Sequence, residues 1–279
     1  MVPDDVRSVL QSIPRGLVVA LTGAGVSAES GIPTFRGKEG YWQIGSRHYQ
    51  PQEMATFEAF SRMPDEVWAW YLYRRGVCLA AEPNPAHVAF VRAEEALGED
   101  FLLVTQNVDG LHWRAGSRKI YEIHGQIDRF RCANECSADV YPMPEGVDVA
   151  WDKARKLGEK ERSLLVCPRC QSRGRPHVLW FDESYDEARY RFSSTLSAVD
   201  RAELLIVAGT SGATNLPHQM VQRAAHLGRA IVVLNADPSP FSQIAEASPR
   251  GAFWQGLAAQ TVPATLEMLL ANRARTVVG

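Results

Sequence analysis

Three strings of residues could do chemistry if the fold holds them in place. The first is Thr22-Gly23-Ala24-Gly25-Val26-Ser27-Ala28, in which Gly23, Gly25 and Ala28 fit G-x-G-x-x-G/A behind an apolar run. Small residues there let backbone N–H groups approach a pyrophosphate, and a helix opening at that point adds its positive end. A Gly-rich turn without a ligand would carry the same residues. The second is Gln106-Asn107-Val108-Asp109-Gly110-Leu111-His112, amides and a carboxylate behind another apolar run, joined by His124-Gly125 behind a third. Asn, Asp and Gly also form plain turns, and a lone His is often structural. At a strand end beside a nucleotide site, however, a catalytic role becomes the better reading. The third is Cys132 and Cys136 followed by Cys167 and Cys170, with Cys78 apart. In a reducing compartment two such pairs read as a metal site before they read as disulfides. Four thiolates favour a closed tetrahedral zinc site with no open position for catalysis, and four unligated buried thiols are the alternative.

These residues need a scaffold, and the sequence reads as α/β: a Rossmann-like parallel sheet with helices on both faces plus a smaller lobe. Unalternating apolar runs at 17–21, 101–105, 119–123, 177–179, 204–208, 230–234 and 259–262 are the expected strands, buried on both faces. Asn84-Pro85 marks a helix start with a stop at Gly98; Asn215 to Leu227 stops at Gly228; Val262 to Ala271 is the last helix. Residues 37–83 are aromatic and helical with no strand candidate, and 131–176 hold the cysteines. We therefore divide the chain into a discontinuous nucleotide-binding domain (1–36, 84–130 and 177–279), a helical part of the small lobe (37–83) and a zinc-binding part (131–176). Ligands in such sheets bind outside the carboxyl ends of strands, where Gln106, Asn107, Asp109 and His124 are expected.

Composition narrows the partners. With 30 Lys+Arg against 32 Asp+Glu the net charge is −2, so no general basic surface advertises nucleic acid or anionic membrane. The start, MVPDDVRSVLQSIPRG, lacks a basic region followed by an apolar stretch, and no run is long enough to span a bilayer. A cytoplasmic monomer is the expectation. Hydride-transfer enzymes place an acid on the adenosine ribose ~20 residues after the glycines. Here Pro33-Thr34-Phe35-Arg36-Gly37 reads as an ordered loop, so the nucleotide is handled differently.

Residues 23–36 (Gly-Ala-Gly-Val-Ser-Ala-Glu-Ser-Gly-Ile-Pro-Thr-Phe-Arg), Thr105 to His112, His124-Gly125, the paired cysteines, Gly209-Thr210-Ser211 and Asn235 together resemble the sirtuins, NAD-dependent protein lysine deacylases, over roughly residues 10–270. The resemblance implies that Gly23, Ala24, Gly25, Glu29, Phe35 and Arg36 hold the phosphates and nicotinamide-side ribose. It puts Asn107 and Asp109 at the nicotinamide, Gln106 on the ribose, Thr210, Ser211 and Asn235 on the adenosine half, and Gly209 and Ala258 among the other cofactor-binding residues. His124 and Asn107 are the implied catalytic residues, with His124 taking a proton from a ribose hydroxyl after the acyl oxygen attacks the anomeric carbon. NAD would be consumed, nicotinamide released and the acyl group left on ADP-ribose. Cys132, Cys136, Cys167 and Cys170 would hold one structural zinc.

Tyr71-Leu72-Tyr73-Arg74 and Ala55 further resemble the desuccinylase and demalonylase branch, class III, of bacteria. Residues three apart on a helix share a face, so Tyr71 and Arg74 can point into one pocket and bind an acyl carboxylate. Alternatively Tyr71 is lobe core and Arg74 a surface charge. Val178, Trp180 and Phe181 match the family's peptide-binding strand, with Asp182 in place of a glycine, where it would narrow the groove or select basic flanking residues. Acyl-lysine peptides or proteins are the implied substrates, with succinyl, malonyl and acetyl groups open. An ADP-ribosyltransferase, an NAD hydrolase, or a non-catalytic NAD-binding regulator would use the same pocket.

Overall fold

A computed structural model describes residues 1–33, 42–44 and 47–275, and only the backbone of Trp42, Gln43, Arg47 and Arg275. The chain runs α1 (Asp4–Gln11), β1 (Leu17–Thr22), α2 (Ala24–Ala28), β2 (Trp42–Ile44), β3 (Arg47–Tyr49), α3 (Pro51–Met54), α4 (Phe57–Arg62) and α5 (Pro64–Ala80). It continues through α6 (Pro85–Leu97), β4 (Phe101–Thr105), α7 (Leu111–Ala115), β5 (Ile120–Glu122), β6 (Gly125–Cys132), β7 (Val140–Pro142), α8 (Glu159–Leu164) and β8 (Gly174–Val178). The last third comprises α9 (Glu187–Tyr190), α10 (Phe192–Arg201), β9 (Ala202–Ala208), α11 (Asn215–His226), β10 (Ala230–Asn235), α12 (Pro240–Ala247), β11 (Gly251–Gln255) and α13 (Ala258–Arg275).

Six strands form one parallel sheet in the order β11-β10-β9-β1-β4-β5. Its inner strands are mostly apolar because helices cover both faces. Val18 and Ala20 join Leu204, Ile206 and the α6 and α13 residues Phe90 and Leu266 on one face. Val19 and Leu21 join Leu205, Val207 and Met220 of α11 on the other. Each such fully buried Val or Leu is worth about 1.5–3 kcal/mol. Strand order reverses at β1, and Thr22 pairs with Thr105 on one side and Ala208 on the other. Three loops therefore leave the sheet side by side at its carboxyl edge, where open α/β sheets bind ligands.

The small lobe has its own apolar cluster, in which Trp68, Trp70 and Leu72 of α5 pack with Phe130 of β6 and Trp151. The two insertions thus share one core. Trp68 Nε1 donates to the Gly174 carbonyl at 2.9 Å, and Arg75 Nε pairs with Asp128 at 2.5 Å. A second sheet, order β7-β6-β8, is antiparallel.

Several expected elements come out differently. Residues 177–179 were expected in the parent sheet, but the strand is β8, Gly174–Val178, paired antiparallel with β6. Residues 259–262 are helix, not strand: α13 starts at Ala258 and carries Pro263 inside it. The edge strand is instead β11, Gly251–Gln255. The β2–β3 hairpin lies within 37–83, where no strand was anticipated.

Candidate active site

The glycines of the first loop serve packing as well as any ligand. Gly23 is the N-cap of α2; its N–H donates to the Ala208 carbonyl at 3.0 Å, and the Gly25 N–H to the Gly209 carbonyl at 2.8 Å. A Cβ on Gly25 would come within 2.8 Å of Gly209 Cα, and one on Gly209, where φ is +62°, within 2.4 Å of the Val26 nitrogen. The loops after β1 and β9 touch backbone to backbone, which only glycine permits.

The β4 loop closes on this pair. Asn107 Nδ2 donates to the Gly23 carbonyl at 3.1 Å and to Ser27 Oγ at 3.0 Å, while Ser27 Oγ donates to Asp109 Oδ2 at 2.7 Å. Asp109 Oδ1 accepts the Leu111 N–H at 2.8 Å. Asn107 and Asp109 are buried, and burial raises the Asp109 pKa against these hydrogen bonds. Gln106 is fixed too: its Nε2 donates to Thr210 Oγ1 at 2.9 Å, and its Oε1 accepts from Thr214 Oγ1 at 2.9 Å. Beneath lies a polar layer missed in the sequence. His87 Nδ1 accepts the Asn84 N–H at 3.2 Å, its ring lies 4.7 Å from that of His112, and His112 Nε2 is 3.1 Å from Thr22 Oγ1. Burial holds His87 at about 4 and His112 well below the usual range, so both rings are neutral. The available signal was His87 on the otherwise Ala- and Val-rich start of α6.

His124 follows β5, and Gly125 with φ +83° turns the chain into β6. Its Nδ1 is 3.1 Å from the Gln106 carbonyl oxygen and its Nε2 2.7 Å from the Tyr185 hydroxyl. Burial, opposed by the Gln106 hydrogen bond, lowers its pKa to about 4, so the imidazole is neutral. Tyr185 was not singled out in the sequence, since a tyrosine in an aperiodic stretch carries no positional signal.

The residues expected around the adenosine are mostly turned to structural bonds. Asn235 Oδ1 accepts the Thr210 N–H at 3.0 Å, and its Nδ2 donates to the Thr210 carbonyl at 2.8 Å, fixing that loop. Ser211 is half-buried next to it. Glu29 Oε2 accepts the Ala259 N–H at 2.7 Å, capping the start of α13, whose first residue is Ala258. Phe35 and Arg36 lie outside the described residues.

The expected acyl and peptide residues gather at the lobe boundary, in two roles. Tyr71 is buried in the lobe cluster and its hydroxyl accepts from Trp180 Nε1 at 2.9 Å, while its pKa is pushed above the usual range by burial. Trp180 is itself core, with the Arg175 guanidinium 3.4 Å from its ring centroid and Phe60 5.2 Å away. The Arg74 guanidinium lies 5.4 Å from the Trp70 ring centroid, and its charge acts on both Tyr71 and Asp109. Val178 is buried opposite Gly125, whereas Phe181 is exposed. The Phe181 N–H donates to the Ala55 carbonyl at 3.0 Å. The Asp182 carboxylate accepts the Phe57 N–H at 2.7 Å and the Glu58 N–H at 3.1 Å, capping α4.

The four cysteine sulfurs of Cys132, Cys136, Cys167 and Cys170 lie within 4.8 Å of one another. The Cys132–Cys170 and Cys136–Cys167 separations are 3.5 and 3.6 Å, too long for disulfides. Tetrahedral Zn–S bonds of ~2.3 Å put sulfurs about 3.8 Å apart, so the cluster fits one structural zinc. Among the described residues no helix is long and apolar enough to cross a membrane.

An open parallel sheet with a glycine loop at its switch point and a cysteine-stapled lobe beside it defines a nucleotide-binding enzyme class. Residues 23–215 match the Sir2 family model, and the chain belongs to that family. An NAD-dependent protein deacylase of Leptospira interrogans is 38% identical over 91% of this chain and 94% of its own. The crystal structure of a Sir2 homolog–NAD complex has a TM-score of 0.77 at 32% identity, covering 100% of this chain and 96% of that one. A Sir2 homologue mutant in complex with 2′-O-acetyl-ADP-ribose gives 0.78 at 33%, covering 100% and 98%.

Proposed function

We propose that this chain is an NAD-dependent protein lysine deacylase that removes succinyl and malonyl groups, and also accepts acetyl-lysine. The observation that carries the reading is the convergence of Asn107, Asp109 and a neutral His124 on the loops at the switch point of the sheet. In this reading the loop from Gly23 holds the phosphates, Asn107 and Asp109 line the nicotinamide pocket, and His124 accepts the ribose hydroxyl proton. The acyl oxygen adds to the anomeric carbon of NAD as the bond to nicotinamide breaks, and water then releases the lysine amine, so that free lysine, nicotinamide and acyl-ADP-ribose are the products. The likeness to the deacylase of Leptospira and to Sir2 homologues with NAD or an acetylated ADP-ribose supports the same chemistry.

The acidic-acyl preference rests on Tyr71 and Arg74. The Tyr71 oxygen accepts from the Trp180 indole, which leaves its own O–H available as a donor, and the Arg74 charge acts on it. A phenol donor beside a guanidinium suits a carboxylate.

The test is to incubate the protein with NAD and succinyl-, malonyl- and acetyl-lysine peptides and follow peptide mass. Loss of the succinyl or malonyl mass with matching nicotinamide release is the expected result. Nicotinamide release without deacylation makes the protein an NAD hydrolase, and ADP-ribose on protein makes it a transferase.

A further inference from the structure

The contact between His124 and Tyr185 is not accounted for by the roles above. Gln106 offers His124 Nδ1 a carbonyl oxygen at 3.1 Å, and a carbonyl can only accept. In the neutral ring, Nδ1 therefore carries the hydrogen and Nε2 the lone pair. The Tyr185 hydroxyl, 2.7 Å from Nε2, must then be the donor. The basic nitrogen that proton abstraction requires is already engaged.

The tyrosine is placed for that contact at the margin of the core cluster that contains Val19 and Leu205. Its ring centroid lies 5.8 Å from that of His124 and 6.1 Å from that of Phe192, and the side chain is half-buried. It belongs to the irregular stretch between β8 and α9, so its backbone is part of neither a ladder nor a helix. The Thr214 hydroxyl and Leu216 N–H act on the phenol oxygen from the start of α11, and burial keeps the phenol protonated. The imidazole is held from behind by a peptide whose own side chain is fixed by Thr210 and Thr214.

We propose that Tyr185 is a positioning residue that occupies His124 Nε2 in the resting enzyme and is displaced by the substrate hydroxyl His124 deprotonates. This rests on His124 being the base, as argued under the proposed function. The ribose O–H takes over the place of the phenol O–H as donor to Nε2, after which its proton passes to that nitrogen. A hydroxyl that cannot displace the phenol leaves the base covered.

Tyr185→Phe removes only the donor. The expected result is a KM for NAD lowered about two- to tenfold, the worth of one net hydrogen bond, with the gain in kcat/KM carried by KM. A kcat lowered tenfold or more at constant KM overturns the proposal, because the hydroxyl then takes part in the chemical step; unchanged constants overturn it too. An arm independent of turnover follows the His124 ring nitrogens by NMR in 15N-histidine-labelled protein without NAD, assigned with His124→Gln. Nε2 is expected to move toward an unbonded lone pair in Tyr185→Phe, and an identical resonance in both proteins overturns the contact. This arm stands even if none of the acyl peptides is turned over. Should Tyr185→Phe fail to fold, Tyr185→Met, which also lacks the hydroxyl, must reproduce both shifts.

Discussion

Arg74 and Asp182 are two charged residues at the lobe boundary with opposite assignments. Arg74 lies over the Trp70 ring and acts electrostatically on both Tyr71 and Asp109. Arg74→Met is expected to weaken succinyl-lysine turnover by the about 1.5–3 kcal/mol of a charge-assisted hydrogen bond while sparing acetyl-lysine. Peptide kinetics check this, and equal losses on both would make Arg74 structural. Asp182 was expected in the peptide groove, and its carboxylate satisfies two N–H groups that open α4. Asp182→Ala should therefore cost about 1 kcal/mol of stability, the ordinary worth of a helix cap. It should leave the charge preference for flanking peptide residues as it was, which a peptide panel and a denaturant titration read together. The residue types at the site were legible because they end apolar runs: Gln106, Asn107 and Asp109 after β4, and His124 after β5. Partners far apart in sequence were not. Nothing in the string foretells that Asp182 caps Phe57, that Asn235 is used up on Thr210, or that Tyr185 reaches His124.

At the level of elements, the parallel strands were legible from unbroken β-branched runs, which two-sided burial imposes. The misreading at 259–262 has a local cause. Thr-Val-Pro reads as a short strand followed by a proline at a helix start, whereas α13 begins before it and accommodates Pro263 near its first turns. β8 was misassigned because an apolar run does not disclose its partner, here the antiparallel β6. The close meeting of the β1 and β9 loops gives a prediction at this scale. Gly209→Ala places a side chain in a left-handed conformation and 2.4 Å from the Val26 nitrogen. A loss of more than about 2 kcal/mol, with NAD binding impaired, is expected from thermal melts and calorimetry. The zinc-fitting cysteines give another. Trp151, Leu157 and Leu165 of the cysteine-bearing insertion belong to the same apolar cluster as α5. Chelation should therefore loosen the whole lobe, read as a change in tryptophan fluorescence, while the far-UV signal of the sheet persists. A chelated protein with unaltered fluorescence would contradict the shared core.

For the whole molecule, buried neutral histidines set the response to acid. Burial lowers His87 and His124 to about 4 and His177 to about 3, with His112 also well below its usual range. All four take up protons near pH 6.5 when unfolded, so the unfolded state binds more protons below that pH and stability falls as pH falls. Glu122, raised to about 7 by burial, and Asp109, also raised, work in the opposite sense. The four histidines outnumber the two acids, so the balance is a loss of stability as the pH falls below about 6.5. Denaturant titrations at successive pH values should show it, and His177→Gln should remove about 1.4 kcal/mol per unit from the slope. Equal slopes in the two proteins would exclude His177 from the effect.

The position of β1 at the centre of the sheet also bears on how the chain is made. Its neighbours are β4, which arrives about a third of the way along the chain, and β9, which follows both insertions. During synthesis the β1–β4 pair must wait, with one strand edge of backbone donors and acceptors open, until everything through Ala208 has emerged. Such long-range parallel pairing is slow and leaves an exposed edge prone to intermolecular pairing. Yield of soluble protein should therefore depend on translation speed and chaperone supply more than the stability of the finished fold would suggest.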